Sequence, residues 1–204
     1  MQETDEYKTI ATPSTGLYKE KGSKFLSFAE PVGSEEQIKT ILEKYRKQYH
    51  DARHHCYAWA TGYSRENHRM NDDGEPSGTA GKPIFGQILS FDLTNILIVV
   101  VRYFGGTKLG VGGLITAYKT AAREALENAS IITRTVNEEY EIVFGYPETS
   151  DVMRIIKENN YQVAENYFTE KCRLVLSLRR KNAKLVAEKF NLVDGLSIKH
   201  LRTV

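Results

Sequence analysis

From Ser34 onward, Ile38, Ile41, Leu42, Tyr45 and Tyr49 recur at steps of three and four residues, which places them on one face of a helix. Ser34 is a suitable N-cap for it, with Gln37 at the third position of a capping box. His54 to Thr61 alternate and are rich in aromatics, which predicts a strand. The apolar run Ile96 to Val101 has the character of a buried strand continuing to Phe104, with a short helix before it near Ile84 to Phe91. After a glycine-rich break, Leu114, Ile115, Tyr118, Ala121, Ala122, Ala125 and Leu126 mark a long amphipathic helix. Near the N-terminus, stretches around Tyr7 to Ile10 and Phe25 to Ala29 read as the paired strands of an opening hairpin, separated by Tyr18 to Lys24.

From Val136 the pattern changes to strand, helix (Glu148 to Asn159), strand (Tyr161 to Tyr167), strand (Cys172 to Leu178), helix (Asn182 to Phe190) and strand (Leu196 to Leu201). That order is the split β-α-β of a ferredoxin-like domain. The expectation is an α+β chain of two domains, residues 1–133 and 134–204. Residues 131–136 carry no Pro or Gly, so the connection reads as a short tether or a shared strand edge.

Composition adds mainly exclusions. With 41% hydrophobic and 26% charged residues the chain can bury a core, and disorder is not expected. The longest apolar stretch is far too short for a bilayer, and the acidic start has no secretory core, so the expected location is the cytoplasm. Cys56 and Cys172 fall in different predicted domains and read as reduced thiols. Lys and Arg balance Asp and Glu at 16 against 16 through Thr133 and stand at 12 against 10 afterwards, so no global basic field draws the protein to nucleic acid.

Two strings carry the candidate chemistry. The first runs Asp72-Asp73-Gly74-Glu75-Pro76-Ser77-Gly78-Thr79-Ala80-Gly81-Lys82-Pro83. Its glycines and prolines fix an irregular path, while Asp72, Asp73 and Glu75 suit a cation or a basic partner better than an anion. The second, Val101-Arg102-Tyr103-Phe104-Gly105-Gly106-Thr107-Lys108-Leu109-Gly110-Val111-Gly112-Gly113-Leu114, leads from a buried strand into a helix start. Glycines allow close backbone approach, a helix N-terminus offers free N–H groups, and Arg102 and Lys108 add charge, which together favour phosphate. The string matches neither the P-loop nor the dinucleotide fingerprint. The competing reading makes the glycines a packing device and pairs Arg102 with an acidic residue of the first loop.

Both strings closely resemble the signatures of the IMPACT/YigZ family, and Ala52-Arg53-His54-His55-Cys56-Tyr57-Ala58-Trp59 resembles that family's histidine-containing strand. The resemblance implies an N-terminal domain like the second domain of ribosomal protein S-five, and a C-terminal domain like the fifth domain of elongation factor G. It also implies a role in translation control, with bacterial members regarded as nucleic-acid binders.

The site expected on these grounds comprises Arg102, Gly105, Gly106, Thr107, Lys108, Gly110, Gly112 and Gly113, with Asp73, Gly74, Glu75, Pro76, Ser77, Gly78, Thr79, Gly81 and Lys82 as a second loop. RNA or the ribosome is the expected partner. Arg53, Arg65, Arg69, Lys82 and Lys119 are further cations, and Tyr57, Trp59, Tyr103 and Phe104 are candidate stacking surfaces. The alternative is a protein-interaction module in which the acidic loop meets a translation factor. His50, His54, His55 and Cys56 match no common zinc spacing, and neither a nucleophile elbow nor a nucleotide-binding signature is present. No metal, cofactor or catalytic residue is therefore assigned, and an enzyme acting on a phosphate substrate stays open as a further, lesser alternative.

Overall fold

The computed structural model describes residues 5–168 and 171–204. These divide into two compact units, one of residues 7–134 and one of Asp5, Glu6 and residues 135–204.

The first is built from β1 (Glu6–Ile10), β2 (Ser14–Glu20), β3 (Ser23–Pro31), α1 (Glu35–Gln48), β4 (His54–Thr61), β5 (Asn67–Asn71), α2 (Gly81–Ser90), β6 (Ile96–Tyr103), α3 (Gly110–Glu127) and β7 (Ile131–Thr135). Five strands form an antiparallel sheet in the order β2-β3-β6-β4-β5. The unit β3-α1-β4, with β6 laid between its two strands, supplies the expected β-α-β arrangement.

The sheet is covered on both faces, which explains the unbroken apolar run of β6. Ile96, Ile98 and Val100 join the core shared with α2 and α3, whereas Leu97, Val99 and Val101 pack with Ile38, Leu42 and Tyr45 of α1. The same parity sorts β4 by size: Cys56, Ala58 and Ala60 lie in the α2–α3 core, Tyr57 and Trp59 in the α1 core. Small residues let α3 approach closely; a Cβ on Gly16 of β2 would fall 2.6 Å from the Ala125 nitrogen. The start of α1 is as predicted, with Ser34 Oγ accepting from Gln37 N, while the Gln37 side chain accepts from Gly33 N.

The opening hairpin differs from expectation. Phe25 to Ala29 pair with β2, and Tyr7 to Ile10 belong to β1, which pairs with β7. Lys21 and Gly22 both have positive φ, at 46° and 78°, the geometry of a two-residue I′ turn that joins β2 directly to β3. Residues 62–82 are also less irregular than the sequence implies, because β5 forms an exposed edge strand on β4.

The second unit contains β8 (Asn137–Phe144), α4 (Thr149–Glu158), β9 (Gln162–Phe168), β10 (Cys172–Arg179), α5 (Arg180–Phe190) and β11 (Ser197–Thr203). Its antiparallel sheet runs β11-β8-β10-β9, so the first and third strands are central, as in a ferredoxin-like fold. Ile142, Phe144, Leu174, Leu176 and Leu178 pack against Val152 and Ile156 of α4 and Val186 and Phe190 of α5. The fold class is α+β. No helix among the described residues is long and apolar enough to cross a membrane.

Candidate functional site

Arg102 shares the parity of Ile98 and Val100, so its side chain enters the α2–α3 side of the sheet, and it is only 6% exposed. Its Nη1 donates to Glu75 Oε1 at 2.6 Å, and its guanidinium carbon lies 5.5 Å from the Phe25 ring centre and 5.7 Å from that of Phe104. Arg102 is thus a buried cation with its charge matched by Glu75 and its faces covered by rings; Nε has no hydrogen-bond partner. Glu75 Oε1 also accepts from Tyr118 Oη at 2.8 Å, and Cys56 Sγ lies 3.3 Å from that hydroxyl and 3.0 Å from the Asp72 carbonyl. Burial pushes the Cys56 thiol far above its ordinary value; burial, with the adjacent Cys56 and Glu75, does the same to Tyr118. Both therefore keep their protons at neutral pH, and the cluster acts as a fixed scaffold.

The first glycine string is held together by its own acids. Asp72 Oδ1 accepts from Ala80 N at 2.9 Å and Gly81 N at 2.8 Å, and Oδ2 accepts from Gly78 N at 2.8 Å. Partial burial would raise this carboxyl, but the three backbone donors outweigh it and hold Asp72 below the usual carboxylate range. Asp73 Oδ2 accepts from His55 N at 2.6 Å, while His54 Nδ1 faces Asp73 O at 2.8 Å and His55 Nε2 faces Tyr49 O at 3.1 Å. Thr79 Oγ1 donates to Pro76 O. Gly74 and Gly78 have φ of 86° and 74°, and a Cβ at Gly81 would fall 2.7 Å from Asn71 N. The acidity of the string serves the fold instead of forming an open acidic face. Pro76, Ser77 and Lys82 remain exposed.

In the second string Gly106 and Gly110 adopt φ of 89° and 70°, which only glycine takes without strain. Gly105 is packed against the β2–β3 turn, and its N–H donates to Ser23 Oγ at 3.2 Å. Gly113 lies against Leu109, where a Cβ would come to 3.0 Å. Gly112 differs: it is exposed and helical, with open space where a side chain would stand, so the fold does not require glycine there. Thr107 and Lys108 are exposed.

The two strings meet at one cleft of about 490 Å³. Glu75, Pro76 and Arg102 line it from one side and Lys108 to Val111 and Leu114 from the other, with Arg53 and His54 at the end of β4. Exposed Arg53 and Lys108 have no acidic partner among the described residues, and Phe104 at the rim is 53% exposed. Arg65 instead pairs with Asp92, and Tyr57 and Trp59 are buried in the α1 core, so these expected cations and stacking rings do not reach the cleft as free groups. Tyr118 had no signal of its own in the sequence beyond its place on an apolar helix face; only the fold brings it to Glu75, 43 residues away.

Fold and cleft together define an α+β protein of two units whose site is made of backbone turns around a buried ion pair. Residues 21–126 match the family model of the Impact N-terminal domain. The chain is 35% identical over 148 residues to IMPACT family member YigZ of Escherichia coli (strain K12), covering 72% of each protein. It is 30% identical over 166 residues to IMPACT family member YvyE of Bacillus subtilis (strain 168), covering 81% of this chain and 76% of that one. A crystal structure described as that of an hypothetical protein is similar with a TM-score of 0.76 at 28% identity, over 98% of this chain and 99% of the other. The chain belongs to the IMPACT family.

Proposed function

We propose that this protein is a translation-associated regulator of the cytoplasm that binds RNA, free or on the ribosome, through the cleft face of its IMPACT-type domain. Residues 1–133 make the RNA contact in this reading, and the ferredoxin-like residues 134–204 assist it. The observation that supports it most is the convergence of both glycine strings on one cleft with Arg53 and Lys108 unpaired at its rim beside exposed Phe104. Unpaired cations attract phosphates, the glycine backbone and the start of α3 allow close approach, and an exposed ring can stack a base.

Charge supports the same reading once the compact unit is taken at its own limits. Residues 7–134 carry 17 Lys and Arg against 13 Asp and Glu, a net +4, because Glu3, Asp5 and Glu6 precede that stretch and Arg134 falls within it. Lys108 and Arg53 are the phosphate-binding cations, and Arg102 shapes the cleft floor. The acidic loop offers less to a basic protein partner, since Asp72 and Glu75 are engaged by this chain's own donors.

Ribosome co-sedimentation with and without nuclease tests the proposal. Retention that disappears on nuclease treatment and in an Arg53→Gln, Lys108→Gln variant is expected. Retention by isolated ribosomal proteins after digestion would overturn it in favour of a protein partner.

A further inference from the structure

We propose that the RNA path does not stop at the cleft but passes over Phe104 onto the β2–β3 hairpin, where Lys19 and Lys24 hold further phosphates. The inference rests on the RNA reading above and adds a second stretch of surface to it. Lys19 and Lys24 stand directly opposite each other in the β2–β3 register, and both are exposed. Opposed like charges destabilise a strand pair, and neither lysine has an acidic partner among the described residues. The fold gains nothing from this arrangement, whereas a polyanion laid across the pair would be held from both sides.

The surroundings fit a nucleic acid strand. A depression of about 500 Å³ is lined by Leu17, Lys19, Lys24, Leu26, Tyr103 and Phe104. Leu17 is 49% exposed, so the floor is apolar and open while its edge is cationic. Lys24 is paired in register with Tyr103, so Lys19, Lys24 and Tyr103 form a row across three adjacent strands, about 10 Å long at the usual strand spacing. The nearby acid Asp51 is occupied by the Tyr103 hydroxyl, which donates to it at 2.7 Å.

Two features join this depression to the cleft. Phe104 lines both, standing at the end of the sheet between the face covered by α3 and the face covered by α1. The hairpin turn is also fixed to the glycine loop, because Gly105 N donates to Ser23 Oγ and Gly22 leaves no room for a side chain at position 105. Lysines on the hairpin and Lys108 in the loop are therefore held in a set relation, as one continuous track requires.

The test uses the full chain, fluorescein-labelled oligouridine of about 12 nucleotides, within the range bound by single-strand modules, and a salt series. A Lys19→Gln, Lys24→Gln variant is expected to bind with a log K against log salt slope lower by about 1.4, from ~0.7 for each single-strand phosphate that is no longer neutralised. Its thermal midpoint should equal or exceed that of the wild type, since cross-strand repulsion is removed. An unchanged slope in this variant, alongside a reduced slope for Lys108→Gln, would overturn the hairpin track and leave the cleft reading standing. Failure of the wild-type chain to bind the oligonucleotide at low salt would overturn both.

Discussion

Gly105 rests on Gly22 so closely that a Cβ at position 105 would fall 1.9 Å from the Gly22 carbonyl carbon and 2.1 Å from Ser23 N. Backbone meets backbone here, so neither side can yield as a flexible side chain would. This close approach ties the loop after β6 to the β2–β3 turn and sets the position of Lys108 and Phe104. Gly105→Ala should cost about 1–3 kcal/mol of stability, the usual range for overpacking, read as a shift of the urea midpoint at unchanged m-value.

The ion pair beneath the cleft predicts a coupled pair of substitutions. Glu75→Gln alone leaves buried Arg102 without its counter-charge and should cost about 3–5 kcal/mol. Arg102→Met alone should also destabilise, but the Glu75→Gln, Arg102→Met double variant should lose much less than the sum, because no unmatched charge is left. A denaturant double-mutant cycle measures that difference, and simple additivity would show that the pair does not act as a unit.

Asp72 carries a pH dependence with a definite sign. Its folded-state value is depressed from 3.8, so its contribution is present above that value and lost as pH falls through the lower folded value. Asp72→Asn should cost about 1–2 kcal/mol near neutral pH, as for loss of a helix-capping carboxylate. The gap between wild type and variant should close in urea melts as the pH falls through that lower folded value, where the wild-type carboxyl becomes protonated too.

Much of the fold was legible in the sequence, because period and parity carry it. The alternation of Tyr57 and Trp59 with Cys56, Ala58 and Ala60 announced β4 as a strand, though not that both of its faces are buried, and the ferredoxin-like order could be read strand by strand. What escaped were pairings set by distant sequence. β1 finds β7 about 120 residues later, and β5 carries exposed polar residues with no apolar alternation to announce it. The two strings were legible, but their meeting at one cleft was not. Glu75 lies 27 residues from Arg102, and whether an arginine turns inward to an acid or outward to a ligand depends on that pairing.

Gly112 separates architecture from binding. Alanine in its helical position should add about 0.5–1 kcal/mol of stability, since glycine is disfavoured there and the space is open. The same methyl would stand on the exposed surface at the start of α3, so RNA retention should fall while the melting midpoint rises. A variant that is more stable and binds equally well would remove Gly112 from the site.

The most direct measurement is the affinity of the full chain for labelled single-stranded RNA across a salt series, compared with an Arg53→Gln, Lys108→Gln variant of equal thermal midpoint. The account predicts tight binding at low salt and a log–log slope smaller by about 1.4 in the variant, two phosphates at ~0.7 each. Equal affinity and slope for both proteins would contradict the claim that the cleft between the two glycine strings is where RNA is held.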